Sequence, residues 1–212
     1  MDITNRPTAN GQHVPSRHST GEAPRPTLQE LARIFSSDKY YRHSYIETYQ
    51  RLFQDRKVYR LLELGIGYEG LMKPFLPEGV EYCHGSSLKM WSTYWPEAEI
   101  WGCDIREDTL FNQGNIRTVQ CDQSSGHSLA ELVWVVTDGL QHKLDFICDD
   151  GSHVLEHQKL TASVLLPRLA EGGVYIIEDT YPDKGDVLAR MFGGELIIGG
   201  KTPDDCLVVI QK

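Results

Sequence analysis

The stretch VYRLLELGIG, residues 58–67, decides the fold. It begins as a short apolar run, VYRLLEL (58–64), of strand length and without helical periodicity. It ends in Glu63-Leu64-Gly65-Ile66-Gly67, where glycines let the backbone turn tightly and approach a ligand closely. A dinucleotide fingerprint would carry a third glycine, whereas this run continues Tyr68-Glu69-Gly70. Downstream the pattern repeats. EIWGC (99–103), IRTVQC (116–121), KLDFICD (143–149) and GGVYIIE (172–178) are further strand candidates, and ELIIG (195–199) and CLVVIQ (206–211) follow them. SLKMWSTYW, SLAELVWVVTDGL, HQKLTASVLLPRLA and GDVLARMF lie between them as helices. Strands apolar on both faces, alternating with helices, predict an α/β architecture with a mostly parallel sheet covered on both sides. The six residues GKTPDD cannot hold a crossover helix, so the last two strands form an antiparallel hairpin.

Upstream of residue 58, Thr27 and Glu30 have capping-box spacing before the helix LQELARIF, and SYIETYQRLFQ places Tyr45, Tyr49, Leu52 and Phe53 on one face. Residues 1–26 hold four of the ten prolines and no aromatic residue, so they read as a mobile tail. Residues 27–212 read as one domain, with helices over 27–57 and the sheet core over 58–212. Composition is that of an ordinary soluble protein: 40% hydrophobic and 24% charged over 212 residues. No apolar run is long enough to span a bilayer, and the polar N-terminus lacks a signal-peptide core. A net charge of −9 argues against gripping a phosphate backbone, so nucleic acid and membrane are not expected partners. Cysteines 83, 103, 121, 148 and 206 are odd in number, dispersed and without a CxxC pair, which points to a reducing compartment, the cytoplasm.

Ligands of such sheets bind beyond the carboxyl ends of the strands. Asp104, ending the second strand, suits a ribose diol, and Asp122-Gln123, after the third, suits an adenine amino group; a helix cap or a turn is the alternative for each. Asp149-Asp150-Gly151-Ser152-His153 follows the fourth strand and Glu178-Asp179 the fifth. Carboxylates converging on one edge repel one another unless a cation lies among them, and oxygen ligands suit Mg²⁺ or a similar hard ion. His153 is a candidate general base, with His157 one turn further along as a supporting side chain. Capping by Asp150, Ser152 or Asp179 is the structural alternative, and a zinc site on the two histidines lacks a third soft ligand.

ELGIG, GSSLKMWSTYWPEAEIWGCDI, DFICDDGSHVLEHQ and LAEGGVYIIEDTY together resemble the class I S-adenosylmethionine-dependent methyltransferases. They are most similar to the metal-dependent sugar O-methyltransferases of macrolide and tetracenomycin pathways, and FSSDKYYRHSYIETYQRLF is similar to the segment preceding that core. The resemblance implies a Rossmann-like sandwich of seven strands with the last antiparallel. It implies S-adenosylmethionine and Mg²⁺ (or Mn²⁺) as cofactors and a small-molecule hydroxyl, on a sugar or glycosylated natural product, as acceptor. By position it makes Asp150, Glu178 and Asp179 metal ligands and His153 the catalytic base. Glu63, Gly65, Gly67, Gly85, Ser86, Ser87, Asp104, Asp122 and Asp149 fall on the cofactor side. Residues Tyr68 to His84 depart from the pattern as a long insertion containing Met72, Phe75 and Tyr82, suited to covering the cofactor or the acceptor. The alternatives left open are a metal-independent methyltransferase, a non-catalytic cofactor-binding protein and a nicotinamide-dependent oxidoreductase. Sugar or catechol as acceptor, and assembly into homo-oligomers, are also open.

Overall fold

The computed structural model describes residues 26–212, so the expected tail lies outside the described residues except for Pro26. The chain runs α1 (Leu28–Ile34), α2 (Asp38–Tyr41), α3 (Tyr45–Phe53), β1 (Arg60–Leu64), α4 (Glu69–Met72), α5 (Ser86–Tyr94), β2 (Glu99–Asp104) and β3 (Ile116–Gln120). It continues through α6 (Gly126–Val136), β4 (Leu144–Asp149), α7 (Leu155–Leu165), β5 (Leu169–Ile177), α8 (Pro182–Phe192), β6 (Glu195–Ile198) and β7 (Cys206–Gln211). All seven expected strands are present, in the order β3-β2-β1-β4-β5-β7-β6. β1 to β5 pair in parallel, and β7 inserts between β5 and β6, antiparallel to both.

Side-chain alternation explains why the sheet is apolar throughout. Leu61, Phe146, Val174 and Val209 face one layer, where Leu28, Tyr49, Phe53, Trp91 and Trp95 pack from α1, α3, α5 and the residue following α5. Leu62, Ile147, Tyr175 and Val208 face the opposite layer of α6, α7 and α8, through Leu129, Leu132, Leu165 and Leu188. The first layer is aromatic: Phe53 stacks obliquely on Phe146 at 4.6 Å and meets Trp95 edge-on at 5.2 Å. The capping box at α1 is formed, with Thr27 Oγ1 accepting from the Glu30 amide at 3.2 Å and Glu30 Oε2 from the Thr27 amide at 2.8 Å.

Element boundaries moved for identifiable reasons. The helix expected over 157–170 stops at Leu165, because Pro167 removes a donor and forces a 3₁₀ turn over Leu166–Arg168. β5 then starts at Leu169 instead of 172, with a register shift against β4 between Leu144 and Phe146. α6 ends at Val136 and not at 140: Thr137 Oγ1 donates back to the Val133 carbonyl, and Asp138 and Leu140 take positive φ.

Candidate active site

The strand order reverses between β1 and β4, which opens a crevice at their carboxyl ends. Gly65 sits there with φ +89°, and a Cβ on it would lie 1.9 Å from the Asp150 carbonyl oxygen. Only glycine permits this approach, which the Asp150 amide secures by donating to the Leu64 carbonyl at 3.0 Å. Gly67 is also left-handed, at φ +71°. Asp104 Oδ2 accepts from the Ile66 amide at 2.9 Å and the Gly67 amide at 3.2 Å, while its Oδ1 accepts from Arg106 at 2.9 Å. The acid at the end of β2 therefore shapes the glycine loop directly.

The remaining residues assigned to the cofactor side divide into two groups. Gly85 (φ +62°) caps α5 against Phe111, with Ser86 half-buried beside the buried Ser87, and Asp122 makes a local turn with Ser124 through Oδ1. Those hydrogen bonds hold the Asp122 carboxyl below its ordinary pKa. Glu63 and Asp149 are wholly buried instead of facing the crevice. Glu63 Oε2 accepts from the Trp91 indole at 2.6 Å. Asp149 accepts from Gln123 and, at 3.3 Å, from the Tyr175 hydroxyl, and burial pushes its pKa to about 7. The Gln123 carbonyl meanwhile accepts from the Ser152 amide at 2.8 Å, tying the end of β3 to the loop after β4. The 68–84 segment folds over this edge. Tyr82 donates to the Gly67 carbonyl at 3.4 Å, Met72 fills the space beside Gly67, and Phe75 lies beneath the Arg42 guanidinium at 3.9 Å.

At the ends of β4 and β5, Asp150, His153 and Asp179 each offer a ligand atom within 4.8 Å of the others. His153 and Asp179 both adopt positive φ, 54° and 53°, a strained state for side chains other than glycine that clusters at functional sites. His153 Nε2 is 4.0 Å from Asp179 Oδ2, and its Nδ1 is buried without a hydrogen-bond partner among the described residues. His157 stands outside this group and meets Ser152 Oγ at 2.9 Å. Glu178, expected beside the other two carboxylates, is fully internal: it faces Lys39 at 2.7 Å and accepts from Tyr49.

Sequence reading missed a layer behind these carboxylates, supplied by α2, α3 and the loop between them. Lys39 is wholly buried, with Nζ 2.7 Å from Asp150 Oδ2, 2.7 Å from Glu178 Oε2 and 3.3 Å from Glu63 Oε1. Burial opposes its charge, but Asp150, Glu178 and Glu63 outweigh that and hold its pKa well above the usual lysine value. His43 lies between Asp179 (3.3 Å) and Asp205 (3.6 Å), stacked on Tyr45, whose hydroxyl donates to Asp179 Oδ1 at 2.8 Å. Burial would raise the Asp179 pKa, yet His43, His153 and Tyr45 together hold it down at about 2. Burial drives Glu178 and Glu63 the other way, upward.

No family model matches the chain. Individual relatives do. Over 157 residues it is 34% identical to the 8-demethyl-8-alpha-L-rhamnosyl tetracenomycin-C 2'-O-methyltransferase of Streptomyces olivaceus, covering 73% of this chain and 38% of that one. It is 31% identical over 160 residues to the mycinamicin VI 2''-O-methyltransferase of Micromonospora griseorubida, covering 74% and 37%. The crystal structure of the MycE methyltransferase of the mycinamycin pathway with Mg and SAH superposes with a TM-score of 0.60 at 31% identity, over 74% of this chain and 38% of that one.

The chain has the fold of the class I methyltransferases and is similar in sequence to these O-methyltransferases. The chain spans less than half the length of the curated relatives it matches. Its seven-stranded sheet with an antiparallel β7 is the arrangement expected of that class. A caffeoyl-CoA O-methyltransferase-like structure from Staphylococcus aureus, at 12% identity and a TM-score of 0.56, shares the fold over 88% of the chain.

Proposed function

We propose that residues 27–212 form an S-adenosylmethionine-dependent O-methyltransferase unit that methylates a hydroxyl of a sugar or glycosylated small molecule, assisted by Mg²⁺ or Mn²⁺. The observation that carries this reading is the meeting of Asp150, His153 and Asp179 beside the left-handed glycine loop. Relatives named as sugar O-methyltransferases, and a neighbour solved with Mg and SAH, support it.

The residues fit both groups. Oxygen donors at two adjacent strand ends suit a hard divalent ion, and Asp179, ionised throughout the neutral range, is available to it. Gly65 and Gly67, both at positive φ, turn the backbone tightly at the crevice beside which the cofactor would lie. When bound, S-adenosylmethionine supplies a sulfonium methyl, and a divalent ion supplies positive charge that acidifies a nearby hydroxyl.

Asp150 and Asp179 hold the ion, with Glu178 as the third carboxylate behind them. His153 takes the acceptor proton at Nε2, and Asp179 beside it stabilises the resulting imidazolium. Asp104 binds the ribose hydroxyls with the lone pairs left free by the loop amides. Asp122 lies on the adenine side, Gly65 and Gly67 line the methionine end, and Gly85, Ser86 and Ser87 approach the cofactor at the start of α5. A vicinal diol is the natural acceptor, since two neighbouring oxygens orient it at one ion. The acidic charge keeps nucleic acid from being a partner, and the dispersed cysteines keep the cytoplasm as the proposed location. Among the described residues no helix is long and apolar enough to cross a membrane.

The test is methyl transfer from labelled S-adenosylmethionine to a panel of deoxysugar glycosides and catechols. Transfer should stop with chelator and return with Mg²⁺ or Mn²⁺. Asp150→Asn and Asp179→Asn should lose transfer while calorimetric cofactor binding persists. Full turnover by metal-free protein in chelator would leave a metal-independent methyltransferase, and failure to bind S-adenosylmethionine would remove the reading altogether.

A further inference from the structure

We propose that Lys39 is a resident counter-cation of the active site, sharing Asp150 with the divalent ion and pairing with Glu178 behind it, and so weakening the grip on that ion. The proposal rests on the metal-assisted reading above. A wholly buried ammonium is retained only where carboxylates and hydrogen bonds offset its lost hydration. Lys39 meets that condition: Nζ donates to Asp150 and Glu178 at 2.7 Å each, and Glu63 Oε1 pairs with it at 3.3 Å. One of the three, Asp150, also belongs to the group that meets His153 and Asp179.

The contacts have two opposite effects. Without an ion, the ammonium keeps Asp150, Glu178 and Glu63 from repelling one another, so the strand ends keep their geometry. With an ion present, the same ammonium draws on the same oxygens and repels the incoming charge. His43 and Tyr45 hold Asp179 independently, so the third carboxylate does not depend on Lys39 for its placement. The expected outcome is a preorganised site with an exchangeable ion.

Mn²⁺ binding to the full chain, followed by electron paramagnetic resonance of the free ion, tests this. Lys39→Met should bind Mn²⁺ about tenfold more tightly, because even in water a unit charge ~5 Å from a divalent ion is worth roughly that factor. Lys39→Arg, which keeps the charge, should stay near the wild type. Lys39→Gln combined with Glu63→Gln removes one charge of each sign, guards against misfolding from an unpaired buried carboxylate, and should also bind more tightly. Unchanged or weaker binding in a folded variant lacking the charge, with the wild type binding normally, would overturn the role of Lys39 alone. Absence of Mn²⁺ binding in all four proteins would overturn the metal reading and this inference together.

Discussion

Replacing Gly65 with alanine tests the link between the glycine loop and the carboxylate edge. The new methyl would fall 1.9 Å from the Asp150 carbonyl oxygen and 2.7 Å from its carbonyl carbon, both backbone atoms that cannot rotate away. The φ of +89° would also be strained for alanine, at a cost of about 1–3 kcal/mol. Relieving the overlap adds about 1–3 kcal/mol, the usual penalty for overpacking. The sum, roughly 2–6 kcal/mol, corresponds to a fall in Tm of roughly 4–24 °C for a chain of this size. Gly114 is the control: its φ is +57°, but nothing lies within 4 Å of its Cβ, so Gly114→Ala should cost only about 1 kcal/mol. Differential scanning calorimetry of both variants separates conformational strain from collision. Because the collision displaces Asp150, Gly65→Ala should also weaken Mn²⁺ binding, which Gly114→Ala should not. A Tm for Gly65→Ala no lower than that of Gly114→Ala would refute the reasoning.

Three other outcomes are expected. His153→Ala should reduce turnover by about 10²–10⁴-fold, the share of a positioned general base, with cofactor affinity retained; single-turnover methyl transfer measures this. Asp104→Ala should weaken S-adenosylmethionine binding by about 1.5–3 kcal/mol in calorimetry, since a charged acceptor is lost, and a folded variant with unchanged affinity would count against the ribose placement. Asp149 has a folded pKa of about 7, above its unfolded value, so its contribution to stability is complete below pH 3.8 and is lost as pH rises towards about 7. Asp149→Asn should flatten the decline in Tm over that window, and an unaltered profile would show that another group causes it.

The sheet was legible because its strands are short apolar runs buried on both faces, a pattern that tolerates few other folds. The antiparallel hairpin followed from loop length alone. The acidic strand ends were legible for a similar reason: Asp104, Asp150, Glu178 and Asp179 interrupt apolar runs at topologically equivalent points. Lys39, His43, Tyr45 and Tyr49 were not read as site residues. A lysine in a four-residue helix reads as solvated, and tyrosines at helical spacing read as core; Tyr45 and Tyr49 are indeed core residues that also hydrogen-bond carboxylates. The available signal was electrostatic: buried acids at one edge demand a cation from elsewhere in the chain. Glu63 and Asp149 were placed at the right strand ends, yet their side chains turn inward, a choice of face that one residue of register decides.

The contact between Lys39 and the strand ends also bears on how the molecule assembles. Lys39 is separated from Asp150 by 111 residues and from Glu178 by 139. Closing loops of that length is slow and entropically costly, so these pairs belong to the non-local contacts that retard folding. A chain whose sheet has formed but whose α1–α3 segment is still undocked would have much of its native circular dichroism. Its strand-end acids would have no internal counter-charge and its aromatic layer would be open to water. Such a species would bind apolar dyes and would not display the native ion site. Stopped-flow refolding with Mn²⁺ as the probe would then time the arrival of the N-terminal helices, separately from formation of the sheet.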